Sequence, residues 1–256
     1  MNGGAKSGGG RPLALVTGGC RRLGAAIALR LAEAGYDLAL HSGPDSGPEA
    51  DLLAAIARAG GESGHLVADL AEAEAAAGLV PEARARFGRP VALLVNNAAR
   101  FLYDSPESAD AGGMLGHYAV NTVAPLLLAQ AIAGQGGAAA IVNILDQRIA
   151  APHGDQLSYT LSKLALAELT LILARQFAPR VRVCGVAPGL TLPSEDFGEG
   201  GMERAAAHMP LERLAQPGEI ADAVAWLAGA EAVTGQILYV DAGAHLRRYE
   251  RDFPFL

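Results

Sequence analysis

Residues 13–24 read LALVTGGCRRLG and decide the fold class of the chain. The first four residues form a short apolar run that predicts a strand, and the last three open a helical pattern that continues to Ala34 and ends at Gly35. Gly18 and Gly24 lie at the turn between the two elements, where backbone amides and the positive end of a helix dipole suit a pyrophosphate. The stretch therefore predicts a strand, a turn and a helix with a nucleotide site at the turn.

The same alternation of short apolar strands and longer helical patterns continues to the end of the chain and is typical of an α/β protein with a parallel sheet. A length of 256 residues suits one large domain, and no linker-like composition divides the chain. Pro125 falls within a predicted helix and predicts a kink there. Strands are predicted at 13–16, 37–40, 65–67, 91–95, 138–145, 181–187 and 236–240, and helices at 22–34, 49–59, 72–87, 116–132, 155–178 and 217–227.

Composition and charge exclude several classes of function. A formal net charge of −7 argues against a nucleic-acid partner, because binding a phosphate backbone requires a basic face. The two cysteines are too few for a disulfide framework and fit a reducing cytoplasm, and the six histidines show no spacing typical of metal ligands. No apolar run approaches the roughly 20 residues of a membrane span, and residues 1–11 predict a flexible tail rather than a signal peptide. We expect a cytoplasmic protein without metal or membrane partners.

A lysine in the body of the chain indicates catalysis. Of the 20 basic residues only Lys6 and Lys163 are lysines, and Lys163 follows Tyr159 by four positions in a predicted helix. That spacing brings the two side chains onto one helix face, about 5 to 6 Å apart at Cβ. A nearby cation favours the ionised phenol, so the pair predicts a tyrosine that acts as an acid near neutral pH.

The end of the second strand indicates which nucleotide is bound. An acidic residue there would bind a ribose 2′-hydroxyl and repel a 2′-phosphate, but the chain has His41 and Ser42. Arg21 and Arg22 lie in the neighbouring turn, so we predict NADPH. Asp69, after the third strand, is either an acceptor for the adenine amine or a solvated residue at a strand end.

These features in this order resemble the short-chain dehydrogenase/reductase family over residues 12–243. The resemblance implies a single Rossmann-type domain, a doubly wound parallel sheet of about seven strands with helices on both faces. It also implies that Tyr159 donates a proton, that Lys163 binds the ribose and lowers the pKa of Tyr159, and that Asn121 helps to hold a relay water. The motifs that carry it are Thr17-Gly18 with Gly24, Asn96-Asn97-Ala98, Asn121, Tyr159 with Lys163, Pro188-Gly189, and Thr234-Gly235 to Asp241. The cofactor residues that we predict are Gly18, Arg21, Arg22, Leu23, Gly24, His41, Ser42, Asp69, Asn97, Ala98, Lys163, Pro188, Gly189 and Thr191.

One departure from the family pattern concerns the substrate. The family usually has a serine after the fifth strand, where this chain has Asp146. An ionised aspartate opposes the negative charge that builds on a carbonyl oxygen. It suits a substrate nitrogen that gains a proton, such as the ring imine of a reduced pterin.

A second departure is Arg22, which stands where the common family motif has glycine. The turn is similar to that of the pteridine reductase subgroup, which includes bacterial dihydromonapterin reductases and also has the aspartate. In that subgroup the pterin stacks on a phenylalanine that corresponds to Phe101. The alternative is that Phe101 is a loop residue that covers the core. Ala99 and Gly43-Pro44 do not match the subgroup. The predicted substrate residues are Arg22, Phe101, Asp146, Tyr159, Leu190 and Arg248, the last from a neighbouring subunit.

Three further expectations concern the outer parts of the molecule. Residues 190–209 mix Pro, Gly, Ser, Glu and Met and predict an irregular substrate lid. Residues 244–256 form a C-terminal tail that we expect at an oligomer interface. The helix at 155–178 is apolar on more sides than one sheet contact would cover, which predicts a second helix partner. The resemblance to the family implies that this partner comes from another subunit, and we expect a homotetramer.

The sequence thus predicts an NADPH-dependent reductase that converts a 7,8-dihydropterin to the 5,6,7,8-tetrahydropterin, with dihydrofolate or oxidised pterins as further substrates. The catalytic residues would be Asp146, Tyr159, Lys163 and Asn121, with the N5 proton coming from Asp146 or through a water fed by Tyr159 and Lys163. One alternative is a carbonyl reductase acting on a ketone or a 3-oxoacyl thioester. The other is a non-catalytic NADPH-binding regulatory protein.

Overall fold

The computed structural model describes residues 10–193, 198 and 200–255, and it has one seven-stranded, wholly parallel sheet. The strand order is β3-β2-β1-β4-β5-β6-β7, so the chain winds outward from β1 in two directions. This confirms the predicted doubly wound sheet. The strands are β1 Leu13–Val16, β2 Asp37–Ser42, β3 Ser63–Val67, β4 Val91–Asn96, β5 Ala139–Ile144, β6 Val181–Pro188 and β7 Ile237–Val240.

Helices cover both faces of the sheet. The core on one face packs α1, α2 and α8 against the strands, and the core on the other packs α3, α5 and α6. The central strands are buried on both sides, which explains why they read as continuous apolar runs. The helices are α1 Arg22–Glu33, α2 Ala50–Arg58, α3 Ala73–Phe87, α4 Ala111–Tyr118, α5 Ala124–Gly134, α6 Leu157–Phe177, α7 Gly201–His208 and α8 Pro217–Gly229.

The helix predicted at 116–132 differs from the structure in an informative way. It begins earlier, with α4, and a π-helical segment at Ala119–Val123 joins α4 to α5. Pro125 lies in the first turn of α5, directly after the π-helical segment, and the proline kink stays a prediction. The break in the helical pattern is the π-helical segment, and it carries Asn121.

The segment predicted as an irregular lid is partly helical, because α7 occupies its second half. Residues 194–197 and 199 of the lid lie outside the described residues. The buried Ala205 and Met209 anchor α7 in a small apolar cluster with Phe253 from the C-terminal end. The second half of the lid therefore packs on the C-terminal tail of the same chain, at Phe253.

At the N-terminal end, residues 1–9 of the predicted tail lie outside the described residues. Arg11, also placed in that tail, donates hydrogen bonds to the carbonyl oxygens of Ala59 at 3.0 Å and Tyr36 at 3.1 Å. Arg11 thus packs against the folded domain.

Helix α6 is the one helix in the described part of the chain that is long and apolar enough, by length and composition, to cross a membrane. The expectation that no segment approaches this limit was therefore wrong. In the structure 56% of its most apolar window is buried inside the protein. The helix packs on β6 and on the π-helical segment, so its apolar composition serves the core.

Candidate active site

The centre of the site is a hydrogen bond between Tyr159 and Asp146. Tyr159 lies in the first turn of α6 and is buried, and its phenol donates to Oδ2 of Asp146 at 3.1 Å. Asp146 follows the end of β5, and its Oδ1 accepts the backbone N–H of Arg148 at 2.9 Å. Both carboxylate oxygens therefore accept hydrogen bonds.

The pKa of Tyr159 differs from the expectation drawn from the sequence. Burial raises it well above its ordinary value, and the negative charge of Asp146 raises it further, while Arg148 opposes these effects. The expectation that Lys163 would lower the pKa of Tyr159 was therefore wrong for this arrangement, because burial and the carboxylate dominate. The phenol keeps its proton at neutral pH.

Lys163 lies beneath the tyrosine on the same face of α6, as its spacing predicted. Its Nζ atom lies 5.7 Å from the centroid of the Tyr159 ring and donates to the carbonyl oxygen of Ile144 at 2.7 Å. Burial lowers the pKa of Lys163 to about 8, and Asp146 partly offsets that effect. The lysine is thus a cation that a modest rise in pH can discharge.

Asn121 holds the loop after β4 against α6. Its amide oxygen accepts the N–H of Arg100 at 2.8 Å, and its amide nitrogen donates to the carbonyl of Arg100 at 3.0 Å and to Oγ of Ser162 at 2.9 Å. The side chain is fully buried. Through these contacts Asn121 connects the loop after β4 to α6. Its part in a proton relay stays a prediction.

The glycines of the turn after β1 are required by its geometry. Gly18 has a φ of +60°, and a Cβ on Gly24 would lie 1.9 Å from the carbonyl oxygen of Gly18. Asn97 supports the same turn, because its amide nitrogen donates to the carbonyls of Thr17 at 2.9 Å and Gly18 at 3.1 Å. The turn and the loop after β4 therefore form one rigid unit at the N-terminus of α1.

His41 and Ser42 are buried at the end of β2 and contact their own surroundings. Nδ1 of His41 accepts the backbone N–H of Gly18 at 3.2 Å, and its Nε2 lies 3.0 Å from the carbonyl of Ala68. Burial lowers the pKa of His41, so the ring is neutral at pH 7. Ser42 Oγ lies 2.9 Å from Nε2 of His65. The Gly18 N–H, one of the backbone amides predicted to face a pyrophosphate, thus donates to His41 instead.

A cavity of about 520 Å³ runs from this turn to Asp146. Three predicted site residues do not line it: Asn121 is buried beside it, Asp69 is exposed and caps the N–H of Ala71 at 2.9 Å, and Arg248 is exposed. The predicted residues that do line it are Gly18, Arg21, Arg22, Leu23, Gly24, His41, Ser42, Asn97, Ala98, Phe101, Asp146, Tyr159, Lys163, Pro188, Gly189, Leu190 and Thr191.

The substrate end of the cavity contains Phe101 and Arg22. The Phe101 ring meets Tyr159 edge to face with centroids 4.7 Å apart, and 42% of the residue is exposed. Arg22 has a φ of +51° and donates to the carbonyl of Pro193 at 3.0 Å, which ties the nucleotide turn to the lid.

Sequence reasoning missed two charged residues of this end, Arg148 and Asp252. Their side chains form a buried ion pair with 2.7 Å between Nη2 and Oδ1, and both residues line the cavity. The C-terminal tail, expected at an oligomer interface, thus brings Asp252 and Phe253 to the site of its own chain. The position of Arg148, two residues after Asp146, was visible in the sequence, but nothing in the sequence indicated that Asp252 is its partner.

Within the described residues no group of three His, Cys, Asp or Glu side chains could hold a metal ion. The site offers cationic and hydrogen-bonding groups instead.

Comparison with known proteins gives relatives that match almost the whole chain. The sequence model of the enoyl-(acyl carrier protein) reductase family matches residues 19–245. FolM alternative dihydrofolate reductase 1 from Brucella canis, complexed with NADP, is 36% identical with a TM-score of 0.87, over 94% of this chain and 96% of that chain. Pteridine reductase 1 of Leishmania tarentolae is 30% identical over 93% of this chain and 97% of that protein. The 3-oxoacyl-[acyl-carrier-protein] reductase FabG of Staphylococcus epidermidis is 29% identical over 91% and 98%.

Proposed function

The chain belongs to the enoyl-(acyl carrier protein) reductase family of short-chain dehydrogenases/reductases, and we propose that within this family it is an NADPH-dependent pterin reductase. The reaction is the conversion of a 7,8-dihydropterin to the 5,6,7,8-tetrahydropterin, with hydride added to C6 and a proton to N5. The observation that carries this proposal is the hydrogen bond from Tyr159 to the carboxylate of Asp146.

The residues around the cavity fit a phosphorylated dinucleotide. Arg21 and Arg22 place two cations at the N-terminus of α1, where the helix dipole also favours an anion, and the end of β2 has no acidic side chain in the cavity. Lys163 lies at the other end, where a ribose would reach it. The NADP bound to FolM of Brucella canis supports the same choice. NADPH, when bound, supplies the hydride.

Asp146 and Tyr159 have different roles in protonation of the substrate. The raised pKa of Tyr159 keeps the proton on the phenol at neutral pH, and the phenol gives it to N5 as the hydride reaches C6. Asp146 accepts the hydrogen bond of the phenol and stabilises positive charge at a ring nitrogen. The same carboxylate would oppose an oxyanion, which disfavours a simple ketone as the preferred substrate.

Phe101 provides a flat apolar surface beside these two residues. Its ring is partly exposed and fixed edge to face against Tyr159, so a planar heterocycle that stacks on it would lie next to the proton donor. Arg22 is close enough to the lid to help enclose that ring system. Arg248 is exposed in its own chain, so we propose that it contacts the substrate only from a neighbouring subunit.

The test is a comparison of initial rates of NADPH oxidation with 7,8-dihydromonapterin, 7,8-dihydrobiopterin, dihydrofolate and an acetoacetyl thioester. The proposal predicts turnover of at least one pterin at a kcat/KM about 100-fold or more above that of the thioester. Turnover of the thioester alone would favour the carbonyl reductase function that the FabG relative has. NADPH binding without turnover of any of them would indicate a regulatory protein.

A further inference from the structure

Arg148 is a buried arginine at the substrate end of the site. It lies in the short 3₁₀ turn Gln147–Ile149 that follows Asp146, and the residue is 7% exposed. Nη2 of its guanidinium lies 2.7 Å from Oδ1 of Asp252, whose side chain is 5% exposed. A charge removed from water in this way is tolerated only with a well-placed partner, so each side chain depends on the other.

The guanidinium lies against the two aromatic rings of the site. Its central carbon is 5.5 Å from the ring centroid of Phe101 and 5.7 Å from that of Tyr159. Nε and Nη1 are buried and find no hydrogen-bond acceptor among the described residues, which leaves the aromatic rings as their neighbours. Arg148 therefore supports the rings of both the proton donor and the proposed stacking residue.

Asp252 is itself fixed by the C-terminal segment, which we define as residues 251–255. Its backbone N–H donates to Oδ2 of Asp155 at 2.8 Å, and Arg251 donates to both oxygens of the same carboxylate at 2.8 and 3.0 Å. Asp155 is 4% exposed, and the phenol of Tyr103 donates to it at 3.4 Å. The C-terminal segment is thus attached both to the chain just before α6 and to the loop that follows Phe101.

The charges around Arg148 are balanced. Burial alone would lower the pKa of Arg148, but Asp146, Asp252 and Tyr159 together raise it above the ordinary value. Burial lowers the pKa of the nearby His153, and the positive charge of Arg148 adds to that effect, so the histidine brings no second cation at neutral pH. Lys163 is a second cation near Tyr159: its Nζ atom lies 5.7 Å from the ring centroid and donates to the carbonyl oxygen of Ile144.

From this geometry we propose that Arg148 is a positioning residue of the active site and that Asp252 of the C-terminal segment holds it in place. Arg148 acts through Tyr159 and Phe101: it fixes the two rings relative to each other and balances the charge of Asp146. The inference rests on the proposed function only in taking Tyr159 as the proton donor.

The kinetic test compares Arg148→Lys, Arg148→Gln, Asp252→Asn and the double variant with the unaltered full-length protein, using a 7,8-dihydropterin and an acetoacetyl thioester as probes. For Arg148→Gln we expect kcat to fall about 30-fold or more while the Kd for NADPH changes less than about 2-fold, since the loss falls on the reacting groups. Arg148→Lys should recover part of kcat, because it keeps the charge but not the planar fork. A kcat within about 3-fold of the unaltered protein for Arg148→Gln would overturn the proposal.

The double variant keeps the test decisive if a single variant does not fold. The double variant, Arg148→Gln with Asp252→Asn, removes the buried ion pair as a whole and leaves neither of its charges without the other, so it should fold. Its kcat should be as low as that of Arg148→Gln alone, because the two residues act as one unit. Effects of the two single variants that multiply in the double variant would contradict the proposal. Arg30→Gln, which removes the exposed ion pair of Arg30 with Asp222, is the matched control and should leave kcat unchanged.

A second measurement requires no substrate and so separates this inference from the proposed function. Protein labelled with 3-fluorotyrosine is examined by ¹⁹F NMR with NADPH present, and the Tyr159 resonance is assigned by its loss in Tyr159→Phe. The Tyr159 resonance should shift or broaden in Arg148→Gln and in Asp252→Asn but not in Arg30→Gln. An unchanged Tyr159 resonance in Arg148→Gln would refute the positioning role, whereas a changed resonance in a protein without pterin turnover would refute the proposed function alone.

Discussion

The phenol of Tyr159 donates a hydrogen bond to Oδ2 of Asp146 across 3.1 Å, so the carboxylate directly contacts the side chain that we propose as the proton donor. Burial and that carboxylate raise the pKa of Tyr159. The pair therefore holds a proton at neutral pH next to a negative charge, which is the combination expected for a substrate nitrogen that gains a proton and positive charge during reduction.

Replacement of Asp146 by serine tests this pairing. A hydroxyl can donate to a carbonyl oxygen but cannot balance a positive nitrogen, so Asp146→Ser should lower kcat for pterins by about 100-fold or more. Steady-state kinetics measure the loss, and NADPH titration should give an unchanged Kd. Asp146→Asn, which keeps the shape without the charge, should be as impaired as Asp146→Ser; a fully active Asn variant would show that the charge has no role.

The rate of reduction should fall as the pH rises through about 8, since Lys163 loses its positive charge there. Below that pH the lysine is charged and can bind a ribose hydroxyl and support Tyr159 with its cation. A pH profile of kcat for the unaltered protein and for Lys163→Arg measures the effect. Arginine stays charged across the range, so its profile should lack this alkaline fall; the same fall in both proteins would assign it to another group.

Lys163 should lower the free energy of unfolding at neutral pH. Its pKa in the folded state, about 8, is lower than the ordinary 10.5, so burying the charged form at pH 7 costs about 3 kcal/mol. Lys163→Met removes that cost but also the hydrogen bond to the Ile144 carbonyl, so the free energy of unfolding should rise by about 1 to 2 kcal/mol at pH 7.

Urea unfolding at pH 7 and pH 10 checks this prediction. Between pH 8 and 10.5 the unfolded chain binds more protons than the folded one. Lys163 therefore destabilises the unaltered protein less as the pH rises through this window. The gain in free energy of unfolding that Lys163→Met gives at pH 7 should be smaller at pH 10. A variant that is less stable at both pH values would show that the lysine contributes net packing.

The turn after β1 should not tolerate a side chain at Gly24, where a Cβ would meet the carbonyl oxygen of Gly18 at 1.9 Å. Gly24→Ala should lower the free energy of unfolding by about 3 kcal/mol or more and abolish NADPH binding. Gly78→Ala is the matched control, because Gly78 lies inside α3 with open space around it and alanine should add about 0.5 to 1 kcal/mol. Equal effects of the two changes would contradict this account of the turn.

Three large apolar residues are exposed on neighbouring helical elements. Leu115 on α4 is 70% exposed, Val123 in the π-helical segment 43%, and Ile172 on α6 59%. We expect a homotetramer in which such residues are covered, and Ile172→Glu should yield smaller species in light scattering. A monomeric unaltered protein at micromolar concentration would refute this expectation.

The sheet could be predicted because each strand is a local apolar run bounded by turn residues, as in β1 and β6. The π-helical segment at Ala119–Val123 could not, since its 5 residues are too few to be distinguished in a periodicity that is read over about 11 to 18 residues. The end of β2 was predicted two residues short, because His41 and Ser42 are polar and are buried only through partners in distant loops.

The residues of the candidate site also fall into those that a local sequence pattern predicts and those that depend on distant contacts. Tyr159 and Lys163 share one helix face, so their spacing in the sequence was sufficient to bring them together. The pair of Arg148 and Asp252 was missed because it depends on where the C-terminal segment packs, which no local pattern indicates. The direction of the pKa shift of Tyr159 was wrong for a related reason: it follows from burial and from Asp146, and neither can be weighed before the fold is known.

The most direct measurement of the central claim is the fate of the transferred hydride. The protein is incubated with NADPH deuterated at the nicotinamide C4 and an equal mixture of a 7,8-dihydropterin and an acetoacetyl thioester, and the products are analysed by mass spectrometry and NMR. Deuterium at C6 of the tetrahydropterin is the predicted result. Deuterium only on the hydroxyl-bearing carbon of the reduced thioester, with unlabelled pterin, would contradict the account.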